Sequence, residues 1–257
     1  DTAEKAYVVD STKATAAATV KTKATAIVAK YNGKSDYERL EGYKNEICEL
    51  VSYNDAAAKS DYTGGYGDPW QLIYVFDEKP DTNVVCEGYA KAFQYLCDLD
   101  KNLTCYIVTG TMSGGTGAGG HMWNVVALEG NNYIVDVTNC DGGEGGSNSV
   151  GYPDKLFLAG AVENIPGKQY TAQFINFGST QNVIYAYNNE TISTYSEAEL
   201  KIASSKYEPK VLTSVTADMI TIDGEKGSVT SEYDGNKRIV STSIIDSANY
   251  TLTIKKD

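Results

Sequence analysis

Apolar and polar positions alternate with two different periods along this chain, and the change of period divides it. Residues 11–30 are rich in Ala, Thr and Lys, with Val20, Ile27 and Val28 as the main apolar points, which predicts a weakly amphipathic helix. A second helix opens at Ser35, where Ser35-Asp36-Tyr37-Glu38 has the form of a capping box. Leu40, Tyr43, Ile47, Leu50 and Val51 then recur at helical spacing and define one buried face. Residues 56–69, with Gly64, Gly65, Gly67 and Pro69, read as a loop, and Trp70-Gln71-Leu72-Ile73-Tyr74-Val75-Phe76 as an apolar segment closed by a turn at 77–81. From Cys86 onward, Tyr89, Phe93, Leu96 and Cys97 share one helical face, so a core helix begins at or just before Cys86.

The period then shortens to two. Residues 103–109, 121–128 and 132–137 are strand candidates, the last two joined by the short turn Glu129-Gly130-Asn131. The glycine-rich residues 113–120 between the first two strands read as a flexible loop. Helices followed by an antiparallel meander make an α+β fold, with N-terminal helices packed on an antiparallel β-sheet. A second glycine-rich loop runs from Asp141 to Gly151, followed by Leu156-Phe157-Leu158 and a polar stretch containing Val183-Ile184-Tyr185-Ala186-Tyr187. Beyond about residue 210, Val211-Leu212, Met219-Ile220-Thr221-Ile222, Arg238-Ile239-Val240 and Tyr250-Thr251-Leu252-Thr253-Ile254 read as short strands, with turns at Asp223-Gly224 and Asp234-Gly235. The expected division is a helical segment at 1–34, a main domain at 35–208 and a small β-rich module at 209–257.

Composition narrows the partners. With 34 acidic against 22 basic side chains, the 257-residue chain carries a formal charge of −12, and no basic stripe interrupts it. Nucleic acid and anionic membrane surfaces are therefore poor partners. No stretch reaches the roughly 18 apolar residues of a membrane span, and no charged-then-apolar leader is visible. The start at Asp1 is what a processed or trimmed chain would show. A surface rich in Tyr, Thr, Ser, Asn and Gly and poor in Lys and Arg suits an exported bacterial protein, secreted or at the cell surface. Cys48, Cys86, Cys97, Cys105 and Cys140 form an odd set with no CxxC pair, so at least one thiol stays unpaired. Without CxxC units or a second histidine, no structural zinc site is expected, and no cofactor is implied.

The chain contains one histidine, His121, so any imidazole chemistry falls to a single residue. Cys86 stands at a helix N-terminus, where backbone N–H groups and the helix dipole favour a thiolate. A small buried hydrophobe like Cys97 is the plain alternative for Cys86, as an ordinary structural role is for His121. Counting back from a three-residue turn pairs position 121 with a position near 137 to 139, which brings Asp136 close to His121 across the ladder. An imidazole there faces a carboxylate with one nitrogen and a thiol with the other, the nucleophile, base and orienter of acyl transfer.

Cys86-Glu87-Gly88-Tyr89-Ala90, His121-Met122-Trp123-Asn124-Val125 and Tyr133-Ile134-Val135-Asp136-Val137-Thr138 together resemble the three ordered motifs of the bacterial transglutaminase-like superfamily. The resemblance covers roughly residues 35–208, and Tyr152 to Leu158 is similar to the segment that follows the family's Asp motif. It implies a papain-like core carrying a triad, with Cys86 as nucleophile, His121 as general base then acid, and Asp136 as orienting carboxylate. Relatives in that family also use a Gln, Trp or Tyr upstream of the Cys to help stabilise the oxyanion. Trp70 and Gln71 are the available candidates here, although they stand 15 or 16 residues before Cys86, and core packing is the plain reading of Trp70. Trp123, two residues after His121 on the same strand face, reads as a core or cleft-wall residue.

Two other patterns carry no chemistry. Gly115, Gly117 and Gly120 satisfy GxGxxG, but the segment leads into a strand and no Gly-Lys-Ser/Thr follows. Asp98, Asp100 and Asn102 imitate the start of a calcium loop, yet Leu103 and Thr109 stand where the glycine and the bidentate acid are needed. Cys140, four residues after Asp136, reads as structural. The implied reaction is thiol acyl transfer on a peptide bond or a glutamine carboxamide, resolved by water or an amine, which suits an extracellular peptidase or protein-modifying enzyme acting on protein or cell-wall peptide. The two glycine-rich loops would flank the cleft. A non-catalytic binding or scaffold module of the cell surface is the alternative reading.

Overall fold

A computed structural model describes residues 11–58, 70–79, 84–114, 117–141, 155–176 and 179–207, and the backbone of strands at 220–223, 228–233, 239–245 and 251–254. The first helix, α1 (Ser11–Lys30), buries Val20, Ala24 and Ile27, a stripe three and four residues apart that explains its weak amphipathicity. In α2 (Asp36–Leu50) the capping box forms: Glu38 N–H donates to Ser35 Oγ at 3.3 Å, and Ser35 N–H donates to Glu38 Oε2 at 3.0 Å. The opening residues of the expected loop instead make one short turn of helix, α3 (Asp55–Ala58); 59–69 lie outside the described residues. The apolar segment folds as α4 (Gln71–Phe76). Next, α5 (Cys86–Asp100) buries Tyr89, Phe93, Leu96 and Cys97, and ends where Lys101 turns left-handed and returns its N–H to Cys97 O.

A seven-stranded antiparallel sheet receives these helices on one face. Its strands are β1 (Thr104–Gly114), β2 (Gly117–Leu128), β3 (Asn131–Val135), β4 (Phe157–Ala159), β5 (Glu163–Ile165), β6 (Gln169–Asn176) and β7 (Ser179–Tyr187), in the order β4-β3-β2-β1-β7-β6-β5. Cys105, Val126, Leu128, Tyr133 and Val135 join the helices in one apolar cluster. On the opposite, inward-curling face Val108, Met112, Trp123, Val125, Ile134, Tyr170 and Tyr185 form a second. Both faces are apolar, so the fold is α+β with a sheet buried on two sides. Short helices α6 (Val137–Cys140) and α7 (Asn189–Thr194) follow β3 and β7. No described helix is long and apolar enough to cross a membrane.

Three local expectations change. The glycine-rich residues 113–120 are largely strand: β1 runs to Gly114 and β2 starts at Gly117, the two pairing at the hairpin end. Close pairing with β7 calls for glycine on β1, where a Cβ would lie 2.2 Å from Asn182 O at Gly114 and 1.9 Å from Ala186 O at Gly110, whereas Gly119 and Gly120 of β2 face open space. The β2–β3 turn has two residues, Glu129 at φ 50° and Gly130 at φ 79°, with Leu128 opposite Asn131. The third strand stops at Val135, because Asp136 caps α6 and turns the chain away.

Residues Glu208–Asp257 form a separate unit. Within it β8 (Ile220–Asp223) pairs with β11 (Thr251–Ile254), and β9 (Ser228–Tyr233) with β10 (Ile239–Ile245). The expected strand Val211-Leu212 and the turn residues Gly224, Asp234 and Gly235 lie outside the described residues.

Candidate active site

The first turn of α5 is held by its approach. Val85, the N-cap, has no capping side chain of its own, and its N–H donates instead to the buried Gln71 Oε1 at 2.9 Å. Gly88 lets Val84 lie against the turn: a Cβ there would stand 2.5 Å from Val84 Cβ. Cys86 thus sits 8% exposed at the first position of a helix, where Gly88 N–H already returns to Val85 O at 2.9 Å and the Cys86 N–H precedes any intrahelical acceptor.

His121 lies on β2 opposite Gly110, a position that adds no side chain beside the imidazole. Its ring stacks on Trp123, with centroids 5.9 Å apart and planes inclined by 16°. Nε2 hydrogen-bonds Asp136 Oδ2 at 2.8 Å, and Cys86 lies near enough to the imidazole to help hold its proton, with Nδ1 the nitrogen left to face it. Only 9% of the His121 side chain is exposed.

Asp136 is fully buried and uses both carboxylate oxygens. Oδ1 accepts Asn139 N–H at 3.3 Å as the N-cap of α6. Oδ2 accepts from Asn139 Nδ2 at 2.6 Å and Tyr185 OH at 2.7 Å in addition to His121. Its backbone N–H donates to Leu156 O at 3.0 Å. These contacts set the charges. Burial opposes protonation of His121, but the Asp136 carboxylate and then Cys86 outweigh it and raise the imidazole from 6.5 to about 10. Burial would likewise raise the Asp136 carboxyl; His121, Tyr185 and Asn139 reverse that and hold it below its ordinary value. Burial, reinforced by the Asp136 charge, pushes the Tyr185 hydroxyl far up.

The sequence candidates are placed unequally. Cys86, His121 and Asp136 come together, and Gln71 is tied to the segment entering Cys86. Trp123 is buried and donates its indole N–H to Tyr170 OH. Trp70 is not a core residue: it is 38% exposed, with the Lys13 ammonium 4.2 Å above its ring, because α4 presents Gln71, Val75 and Phe76 inward instead. Tyr185 and Asn139 went unread in the sequence. Asn139, three residues after Asp136, carried a capping signal, whereas nothing local marks Tyr185, 49 residues away.

No disulfide joins the five cysteines, and Cys97 and Cys140 are among the buried ones. Among the described residues no group of His, Cys, Asp and Glu is arranged to hold a metal ion. Asp100 of the calcium-like run is taken up by Arg39 and by Tyr43 OH at 2.6 Å.

Neither a family model nor a curated protein matches the chain. A solved structure described as the crystal structure of a TGase is similar over 52% of this chain at 14% identity, with a TM-score of 0.40. The match spans about a third, 34%, of that chain's length.

Proposed function

We propose that this chain is a thiol acyl-transfer enzyme of the transglutaminase-like class with a papain-like core, in which Cys86, His121 and Asp136 act as nucleophile, acid–base and orienting carboxylate. The observation that carries the reading is the hydrogen bond from the His121 imidazole to the buried Asp136 carboxylate, with Cys86 beside the same ring. In the reaction, the Cys86 sulfur, its proton already held by the His121 imidazolium, attacks the substrate carbonyl carbon. The oxyanion meets the Cys86 backbone N–H and the Gln71 Nε2 amide, which is left to donate because Oε1 already holds Val85 N–H. His121 then protonates the departing amine and a thioester remains. Water or a second amine, deprotonated by His121, attacks the thioester and releases Cys86. Asp136 stays ionised throughout and holds the ring for both transfers.

The substrate class proposed is a protein or peptide, at the cell surface or outside the cell, cleaved, deamidated or joined to an amine. Residues 35–208 form the catalytic domain of this reading and 209–257 an appended module. Iodoacetamide labelling at pH 6 tests the nucleophile: Cys86 should react faster than a model thiol, and faster than in His121→Ala. Equal rates would remove the activated thiol. Incubating peptides with a labelled primary amine, read by mass spectrometry, separates the three products, and no product at all favours the scaffold alternative.

A further inference from the structure

Three donors converge on a single oxygen of a carboxylate that has no solvent: His121 Nε2, Asn139 Nδ2 and Tyr185 OH all bond Asp136 Oδ2, while Oδ1 receives only the Asn139 backbone N–H. The tyrosine comes from far away in the sheet. Tyr185 lies on β7 opposite Met112 of β1, and Asp136 follows β3, so β1 and β2 stand between them. Three strand spacings on a flat sheet come to roughly 14 Å, more than a tyrosine side chain spans. The 2.7 Å bond therefore exists only because the sheet curls, and it ties the two sides of the curl together at the carboxylate.

We propose that Tyr185 is a positioning residue: its hydroxyl, donated across the curled sheet, pins Asp136 Oδ2 so that the carboxylate stays ionised and keeps His121 aimed at Cys86. The inference rests on the acyl-transfer reading above. A buried carboxylate without enough donors takes a proton in preference to staying charged. Asp136 meets this condition with help from three elements: His121 on β2, Tyr185 on β7 and Asn139 on α6. The other titratable groups around this cluster are Cys86 on α5, Cys140 on α6, Tyr170 on β6 and Tyr187 on β7. Burial keeps Tyr170, Tyr185 and Tyr187 as neutral hydroxyls well beyond the pH range in which enzymes of this chemistry work. Tyr185 is thus a permanent donor, never a competing anion.

Removing the hydroxyl should make Asp136 protonate at higher pH and release the imidazole on the acid side. Tyr185→Phe keeps the ring that stacks on Tyr170, with centroids 5.3 Å apart, and packs near Trp123, so the core stays filled. The rate constant for iodoacetamide alkylation of Cys86 is measured from pH 4 to 9 in the wild type, in Tyr185→Phe and in Asn139→Ala. The acid limb is expected to move up by about one pH unit in both variants, with the alkaline limb in place. A role confined to packing would lower the rate at every pH without moving that limb, and this result overturns the proposal. Because the chain has one histidine, 15N-histidine labelling gives a single imidazole, a second readout independent of thiol reactivity. In Tyr185→Phe the Nε2-bound proton should lose its carboxylate-induced downfield shift about one pH unit earlier on acidification than in wild type. An unaccelerated wild-type thiol would end the acyl-transfer reading and leave the Tyr185 proposal to this NMR titration, where an unchanged titration in both variants ends it too.

Discussion

Stability between pH 7 and 9 should fall because of one residue. The His121 imidazole titrates near 6.5 in the unfolded chain and at about 10 in the folded one. A group raised by folding contributes fully below its unfolded value, and the contribution is lost as pH climbs toward the folded value. Counted for the imidazole alone, the whole shift corresponds to on the order of 5 kcal/mol, complete below about pH 6.5, of which about 2 to 3 kcal/mol disappears between pH 7 and 9; a proton that His121 has taken from Cys86 is balanced by the one the unfolded thiol keeps and reduces that loss. No second imidazole shares this window. Tyrosines ionise in the unfolded chain near pH 10, and the buried Cys105, raised by burial and by Cys97, adds its own alkaline loss only above about pH 8.5. Both tryptophans, Trp70 and Trp123, lie in the unit Asp1–Tyr207, so tryptophan fluorescence during urea unfolding follows the part of the chain that carries the site. Free energies of unfolding at pH 7, 8 and 9 are compared with those of His121→Gln. A variant whose stability declines in parallel with that of the wild type would refute the charged, paired imidazole.

Gln71→Glu keeps an oxygen for the Val85 N–H but removes the amide donor and buries a carboxyl, so it should lose about a hundredfold in acylation rate together with some stability. Gln71→Ala should lose the same rate and in addition about 1 to 3 kcal/mol of stability, read by urea unfolding, because a buried N–H is left unpaired. Gly110→Ala should lower the melting temperature by several degrees, since its Cβ meets the Ala186 carbonyl oxygen and forces β1 from β7; an unchanged melting curve would mean the two strands separate freely. Phe93→Ala, at a fully buried position of α5, should cost about 3 to 5 kcal/mol in the same unfolding assay.

What was legible in the sequence is what is encoded locally. Ser35 and Glu38 announce the start of α2 because a capping box is satisfied within four residues. The face of Tyr89, Phe93 and Leu96 follows from helical spacing alone, and it fixes Cys86 at the helix start. Counting across the β2–β3 turn placed Asp136 near His121 even though the turn is one residue shorter than expected, since that shift moves the partner by a single position. What escaped depends on distant partners. Residues 113–120 read as loop because glycine disfavours strands, yet pairing between β1 and β2 overrides the propensity. Tyr185 belonged to a polar stretch with no signal of its own, and only the curl of the sheet turns it toward Asp136. Trp70 looked like a core residue by type, but the rotation of α4, a property of its packing, turned it to the surface.

Asp136 divides its two oxygens between architecture and chemistry, one capping α6 and the other holding the imidazole. This matters for how descent is to be read in this lineage. A helix that starts at Val137 wants an acceptor at its cap, worth about 1 kcal/mol, whether or not any bond is ever broken nearby. Drift after a loss of turnover would therefore retain Asp or Asn at 136 for folding alone, while Ser or Ala would satisfy the packing at 86. On the acyl-transfer reading, the thiol and the imidazole would mark a descendant that still turns over, and the carboxylate chiefly the fold.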